Sequence, residues 1–268
     1  MQGRLLPKFQ GKFQAHPIGY WRDEFQLAAN LGFDCIEFIL DFDQVLENPL
    51  LVDAGLIQIQ KLTADTGVRV LSVCADYFMM APLHSSDTDI AQTSLEVLDQ
   101  LMYACAALGA TDLVIPCVDA SSVRNKDDQD RLVGVLESIC EPAKNLRINL
   151  ALETDLGPYE FKELLNRLPD SSVTVNYDIG NSASLGFDPG EEMAAYGRRI
   201  SDVHIKDRVR GGGSVPLGSG DSKIIETLSM LQEIDYGGPL ILQAYRGASG
   251  LAETEQQLQY VKQLLLEL

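Results

Sequence analysis

Short apolar runs rich in valine, isoleucine and leucine recur along the chain, and each is followed by a longer stretch whose apolar positions have helical spacing. The runs fall at residues 2–6, 35–39, 68–75, 112–116, 148–153, 173–178, 200–206 and 240–244. Runs this short and this apolar fit strands covered on both faces, as in a parallel sheet. Helices are predicted over 21–31, 56–66, 90–108, 127–145, 159–167, 190–196, 222–234 and 252–266. Gly32, Gly67, Gly109 and the pair Gly237-Gly238 stand at helix-to-strand joints, where glycine accepts the left-handed turn that closes a helix. Pro7, Gly11, Pro17 and Gly19 mark a long loop after the first run.

Eight strands alternating with eight helices predict an α/β fold, the (β/α)8 TIM barrel. The length of 268 residues suits one such barrel, and no linker or composition break interrupts it, so residues 1–268 read as a single domain. An open doubly wound sheet is the alternative. It would want a glycine-rich phosphate turn after an early strand, and Gly3 and Gly11 do not form one.

In a parallel barrel all strand ends point to one mouth. Four predicted strands end there with metal-binding chemistry: Glu153, Asp178, His204 and Gln243, at successive spacings of 25, 26 and 39 residues. Taken singly, each has a plainer role. A strand-end carboxylate can cap a helix or pair with an arginine, and a lone histidine can be a satisfied core residue. Together, two carboxylates, an imidazole and an amide oxygen form a nest for one divalent cation. The other two histidines, His16 and His84, lie in loops, and the strands ending near 74–76 and 116–117 carry none. One ion is therefore expected rather than a cluster. The mixed oxygen and nitrogen set favours Mn²⁺, with Mg²⁺, Co²⁺ and Zn²⁺ also compatible.

The formal net charge of −18 opposes nucleic-acid backbones and anionic lipid surfaces as partners. No apolar run approaches the ~18 residues of a membrane span, and Met1-Gln2-Gly3-Arg4 starts no signal core. The five cysteines include no C-x-x-C pair and read as buried small hydrophobes of a reducing, cytoplasmic environment.

Four segments carry a family resemblance: Ala151-Leu152-Glu153, Asp178-Ile179-Gly180-Asn181, the run from Asp202 to Asp207, and Val215-Pro216-Leu217-Gly218-Ser219-Gly220. With them the chain resembles the xylose-isomerase-like (β/α)8 barrels, which include sugar and sugar-phosphate isomerases and epimerases, inosose dehydratases and endonuclease IV. The last segment is similar to the V-P-x-G-x-G loop of the sugar-acting branch. The resemblance implies a metal-dependent isomerase or epimerase of a small sugar or sugar phosphate, working by proton transfer through an enediolate, and a homo-oligomer such as a dimer or tetramer. A keto-polyol dehydratase and a non-catalytic sugar-binding barrel are the alternatives. The DNA-repair branch is opposed by the missing histidine-rich cluster and the acidic surface.

One departure matters. In the ketose epimerases of this family the last strand brings a second glutamate, where this chain has Gln243. An amide ligates but exchanges no proton at neutral pH. One base, Glu153, would then act on one face of the sugar, which tilts the expectation toward isomerisation, with Lys206, Asp207 or water as other sources of a second acid.

Lys206 shares a strand face with His204 and would either stabilise an enediolate oxygen or pair with Asp207 or Glu153. Glu37 would bind a sugar hydroxyl or form a structural ion pair. Asn181 stands where the family often places a substrate-facing histidine or asparagine. Arg208 and Arg210 precede Gly211-Gly212-Gly213 and suit a phosphate or carboxylate, or else a surface loop. Arg246 could join the same pocket, and Gln2 and Arg4 are expected at the mouth.

Overall fold

In the computed structural model, which describes residues 1–169, 172–247 and 250–268, the strands run parallel and pair in sequence order. They are β1 (Cys35–Ile39), β2 (Arg69–Cys74), β3 (Asp112–Cys117), β4 (Asn149–Thr154), β5 (Val173–Asp178) and β6 (Ile200–Ile205). A two-residue antiparallel ribbon, β7 (Asp207–Arg208) with β8 (Ser214–Val215), stands outside this sheet, and β9 (Leu240–Leu242) returns to pair with β6.

The ring is completed by less than a strand. Residues 2–6 were expected to be extended, but only Gln2 pairs, in a parallel bridge to Glu37. Its amide donates to the Leu242 carbonyl at 3.3 Å, and Glu37 N–H donates to the Met1 carbonyl at 2.8 Å. Gly3 then turns with φ of 53°, where a Cβ would lie 2.8 Å from Ile39 Cδ1. Glycine is required at this corner, and it ends the strand.

Helices α1 (Asp23–Leu31), α2 (Asp53–Thr66), α4 (Thr88–Leu108), α5 (Lys126–Leu146), α6 (Pro158–Leu165), α8 (Pro189–Tyr196), α9 (Ile224–Glu233) and α10 (Leu251–Glu267) match the eight predicted ones to within a few residues at most ends. Two short helices were not foreseen: α3 (Tyr77–Met80) after β2 and α7 (Ile179–Leu185) directly after β5. Gly32, Gly67 and Gly109 close α1, α2 and α4 in the left-handed conformation, as their positions implied. Trp21 packs in the core beside Phe25 and Phe38. All five cysteines are free thiols, and all but Cys35 are buried. Among the described residues no helix is long and apolar enough to cross a membrane.

The inside of the barrel is largely polar. Cys74, Val114 and Ala151 form a small apolar layer of their own. The neighbouring inward positions hold Glu37, Ser72, Asp112, Asn176, Asp202 and His204, all buried. Strand register sets Asn176 beside Asp202 and Asp178 beside His204, and the period-two alternation of a strand points each such pair into the ring.

Candidate metal and substrate site

Glu153 lies in β4, Asp178 ends β5, His204 lies in β6 and Gln243 follows β9. Each of Glu153, Asp178 and His204 offers a ligand atom within 4.8 Å of the others. Asp178 has two jobs. Its Oδ1 caps α7 by accepting the amides of Gly180 at 2.9 Å and Asn181 at 2.8 Å, while Oδ2 faces the cluster, 3.8 Å from His204 Nδ1. The unforeseen helix α7 is therefore the device that orients this carboxylate.

Glu153 is held by two amides. Asn181 Nδ2 donates to Oε1 at 2.6 Å and Asn176 Nδ2 to Oε2 at 3.1 Å. The imidazole of His204 is held from behind, where Nε2 meets Glu37 Oε1 at 2.9 Å in a fully buried contact. Glu37 Oε2 in turn accepts from Ser72 Oγ at 2.7 Å. A carboxylate on one ring nitrogen fixes the tautomer and leaves the other nitrogen, Nδ1, to face a cation.

The charges follow from burial and crowding. Burial, then the charge of Asp178, pushes the Glu153 carboxyl up to about 7. Burial would also raise Asp178, but Lys206 and His204 outweigh it and hold this carboxylate well below the ordinary range. Burial alone would lower His204, but Glu37 and Asp178 override it and raise the imidazolium well above its usual value. Asp202, buried beneath His204, is pushed far up by burial and then by the charge of Glu37 beside it.

Lys206 stands in the middle of the nest. Its Nζ donates to Gln243 Oε1 at 2.7 Å and to Asp178 Oδ2 and Asn181 Oδ1, each at 3.1 Å. The partners weighed for it from sequence, Asp207 and Glu153, are not the ones it takes. Gln243 Nε2 donates to Gln2 Oε1 and lies 3.4 Å from His204 Nδ1. The donor set fits a divalent ion: two carboxylate oxygens and an imidazole nitrogen converge at ligand spacing, while Gln243 turns its NH2 toward His204 and its oxygen to Lys206. The lysine ammonium now shares two of those oxygens, from Asp178 and Gln243.

The remaining predicted residues divide. Asn181 belongs to the site through Glu153 and Lys206. Glu37 is 1 % exposed and supports His204 instead of meeting the open cavity. Asp207 is excluded as a second acid by its own hydrogen bonds: Oδ2 accepts the amides of Gly218 and Gly220, each at 2.9 Å, and Oδ1 that of Ser222 at 3.1 Å. Arg208 donates from Nη1 to Asn181 Oδ1 at 2.8 Å, and from Nε and Nη2 to the Gly212 carbonyl at 3.0 and 2.7 Å. Arg246 Nη1 donates to the carbonyls of Arg4 and Leu6. Arg4 reaches Gln2 O at 2.9 Å and Gln14 Oε1 at 3.4 Å.

Sequence reasoning missed Asn176, Ser72 and Asp76. Asn176 was within reach, because it lies two residues before Asp178 and so shares its strand face. Ser72 shows no such signal, since a serine in an apolar run is common. Asp76 is raised to about 6 by burial, and it binds Cys74 and Gln14 at the cavity wall.

Several known proteins resemble this chain. L-ribulose-5-phosphate 3-epimerase UlaE of Escherichia coli (strain ATCC 8739) is 26% identical over 246 residues, covering 87% of this chain and 85% of the relative. The D-psicose 3-epimerase of Clostridium cellulolyticum H10, solved with D-tagatose, superposes with a TM-score of 0.74 at 16% identity, over 92% of this chain and 94% of that one. A xylose isomerase-like TIM barrel protein of Mycobacterium smegmatis, solved with magnesium, gives 0.72 at 20% identity, over 93% and 89%. The pattern described as xylose isomerase-like TIM barrel matches residues 25–264, and the chain belongs to that family.

Proposed function

We propose that this protein is a metal-dependent isomerase or epimerase of a small sugar, with Glu153, Asp178 and His204 as the metal ligands, Gln243 as a neutral fourth, and Glu153 as the proton-transferring base. The observation that carries the reading is the convergence of those three ligands, one of them a carboxyl that burial pushes up to about 7. The names of the relatives, sugar epimerases in the main, support the reaction class.

A bound divalent ion supplies Lewis-acid polarisation of a carbonyl oxygen. The chain's own residues do the rest. Asn176 and Asn181 fix both oxygens of Glu153, so that the carboxylate is aimed before substrate arrives. Glu153 takes a proton from the carbon next to the carbonyl and returns it. Asp178 is a poor base, since its charge is held by Lys206 and by two backbone amides. Lys206 offers an ammonium to the oxygen on which negative charge develops. With an amide at 243, a single carboxylate serves, which favours transfer between neighbouring carbons on one face over inversion.

The experiment is solvent-deuterium incorporation into free and phosphorylated ketoses and aldoses with Mn²⁺ supplied. Label in one sugar at the carbon next to the carbonyl is expected, lost in Glu153→Gln. Retention of label in that variant would place the base elsewhere, and a product lacking a hydroxyl would convert the reading to a dehydratase.

A further inference from the structure

A cavity of about 750 Å³ opens at the barrel mouth, on the side of β1, β2 and β9. Its apolar wall comes from the 7–20 loop and the strand-end loops: Phe9, Phe13, Phe42, Met79, Met80 and Tyr245. Arg4 and Asp76 also line it, and Arg4 lies close enough to Asp178 and Asp76 for both to raise its pKa against the burial that brings it down to about 10. Arg4 donates to the Gln2 carbonyl, and the Gln2 side chain accepts from Gln243 Nε2, which lies 3.4 Å from His204 Nδ1, so a short hydrogen-bonded path joins the cavity wall to the cluster.

We propose that the sugar handled here is uncharged and two rings long: a ketose end reaches the cluster and a second ring lies in this cavity against the aromatic faces. The inference rests on the sugar isomerase or epimerase reading. Three observations carry it. The first is size. Ligand sites run from ~300 to ~1,000 Å³ for drug-sized molecules, and 750 Å³ is far more than one ketose fills. The second is surface. Phe42, Met80 and Tyr245 expose 44, 65 and 36 % of their area around this one concavity. A pyranose ring presents C–H groups on its faces and hydroxyls at its rim. Aromatic walls with Asp41, Asp76 and Gln14 beside them meet both needs.

The third observation is charge. The wall holds Arg4, Lys12 and Arg246 against Asp41, Asp43 and Asp76, so there is no excess of cations for a phosphate dianion. Arg208 is committed as well. Arg208 uses Nε, Nη1 and Nη2 on Gly212 and Asn181. Arg246 uses Nη1 on two backbone carbonyls while its guanidinium lies 4.5 Å over the Phe13 ring. Arg208 therefore has few donors left for a phosphate, and although Arg246 Nε has no partner among the described residues, the equal numbers of cations and carboxylates on the wall disfavour a dianion.

The test compares calorimetric Kd values, with Mn²⁺ present, for D-fructose, D-fructose 6-phosphate and two ketose-ended disaccharides, isomaltulose and lactulose. At least one disaccharide is expected to bind about tenfold more tightly than fructose, a ratio typical of one well-placed added contact surface, and the phosphate ester no more tightly than fructose. Phe42→Ala and Met80→Ala, both at exposed side chains, should each shrink the disaccharide-to-fructose ratio to below about threefold. Equal or undetectable affinities, a phosphate ester that binds most tightly, or a ratio unmoved in both variants overturns the inference. Deuterium incorporation is read on the same panel. Absence of label from every sugar, with the disaccharide still preferred, sinks the isomerase reading and keeps the ligand class. Label from fructose with no disaccharide preference does the reverse.

Discussion

At the residue scale, the site is built by pairs in which one side chain acts and another aims it. Glu153 has Asn176 and Asn181, and His204 has Glu37. Glu37 gives the sharpest test. Removing a carboxylate that orients a ligand imidazole typically costs 10–100-fold in metal affinity. Glu37→Ala is expected to weaken Mn²⁺ binding by about that factor, with Glu37→Gln milder because its amide oxygen still accepts from Nε2. A metal Kd unchanged in Glu37→Ala would mean that the 2.9 Å contact does not set the ring's orientation. The cluster itself was legible in the sequence, because strand ends at regular spacing share one mouth. The sugar-binding role weighed for Glu37 was not what its place supports. Sequence showed that it lay on a strand but not how deep in the barrel, and depth decided its partner. The same blindness applies to Arg208 and Arg246. Their positions were legible, but the backbone carbonyls that take their hydrogen bonds are created only by the folded loops.

At the element scale, boundaries fell where apolar periodicity and closing glycines put them, and misses occurred where a side chain in the site, not a pattern, made the element. Asp178 caps α7 over just seven residues, too few for a 3.6-residue period to show. The first strand failed for the opposite reason, since Gly3 turns the chain after a single bridged residue. The loop at 216–222 hangs on Asp207, whose carboxylate takes three backbone amides. Charge-assisted bonds of this kind are worth about 1.5–3 kcal/mol each, so Asp207→Asn, which keeps the shape but loses the charge, is expected to lower stability by about 2–4 kcal/mol, read as a shift in the urea midpoint. In α1, burial raises the Glu24 carboxyl from 4.5 to about 7, and its Oε1 has no hydrogen-bond partner among the described residues. Because the folded state holds this proton more tightly than the unfolded chain, stability contributed here is full below pH 4.5 and declines as pH rises to 7. Glu24→Gln should flatten that decline and leave the protein up to about 3 kcal/mol more stable at pH 8. A stability profile across pH 4.5–8 identical to that of the parent would show that Glu24 ionises at its ordinary value.

At the scale of the whole molecule, the barrel concentrates acid at its centre in a chain that already carries a net charge of −18. Glu37, Asp112, Glu153, Asp178 and Asp202 are all buried, with His204, Lys206 and Arg4 as nearby positive groups. Burial raises Glu153 to about 7 and pushes Asp202 up, and the Lys206 ammonium bonds the oxygens of Asp178 and Gln243. Such a centre is expected to gain stability when a cation binds the folded chain alone. At a free Mn²⁺ concentration of about 100 times its Kd the gain is ~2.7 kcal/mol, which for a chain of this size corresponds to a rise in Tm of about 2–4 °C per kcal/mol. A chelator should reverse it. Asp178→Asn separates this from a general effect of cations on an acidic surface, since it keeps nearly all of the net charge and removes one central ligand. The Mn²⁺-dependent rise should vanish in that variant and survive in Asp130→Asn, a change at an exposed ion pair. An equal rise in both would assign the stabilisation to surface screening and take the metal out of the barrel.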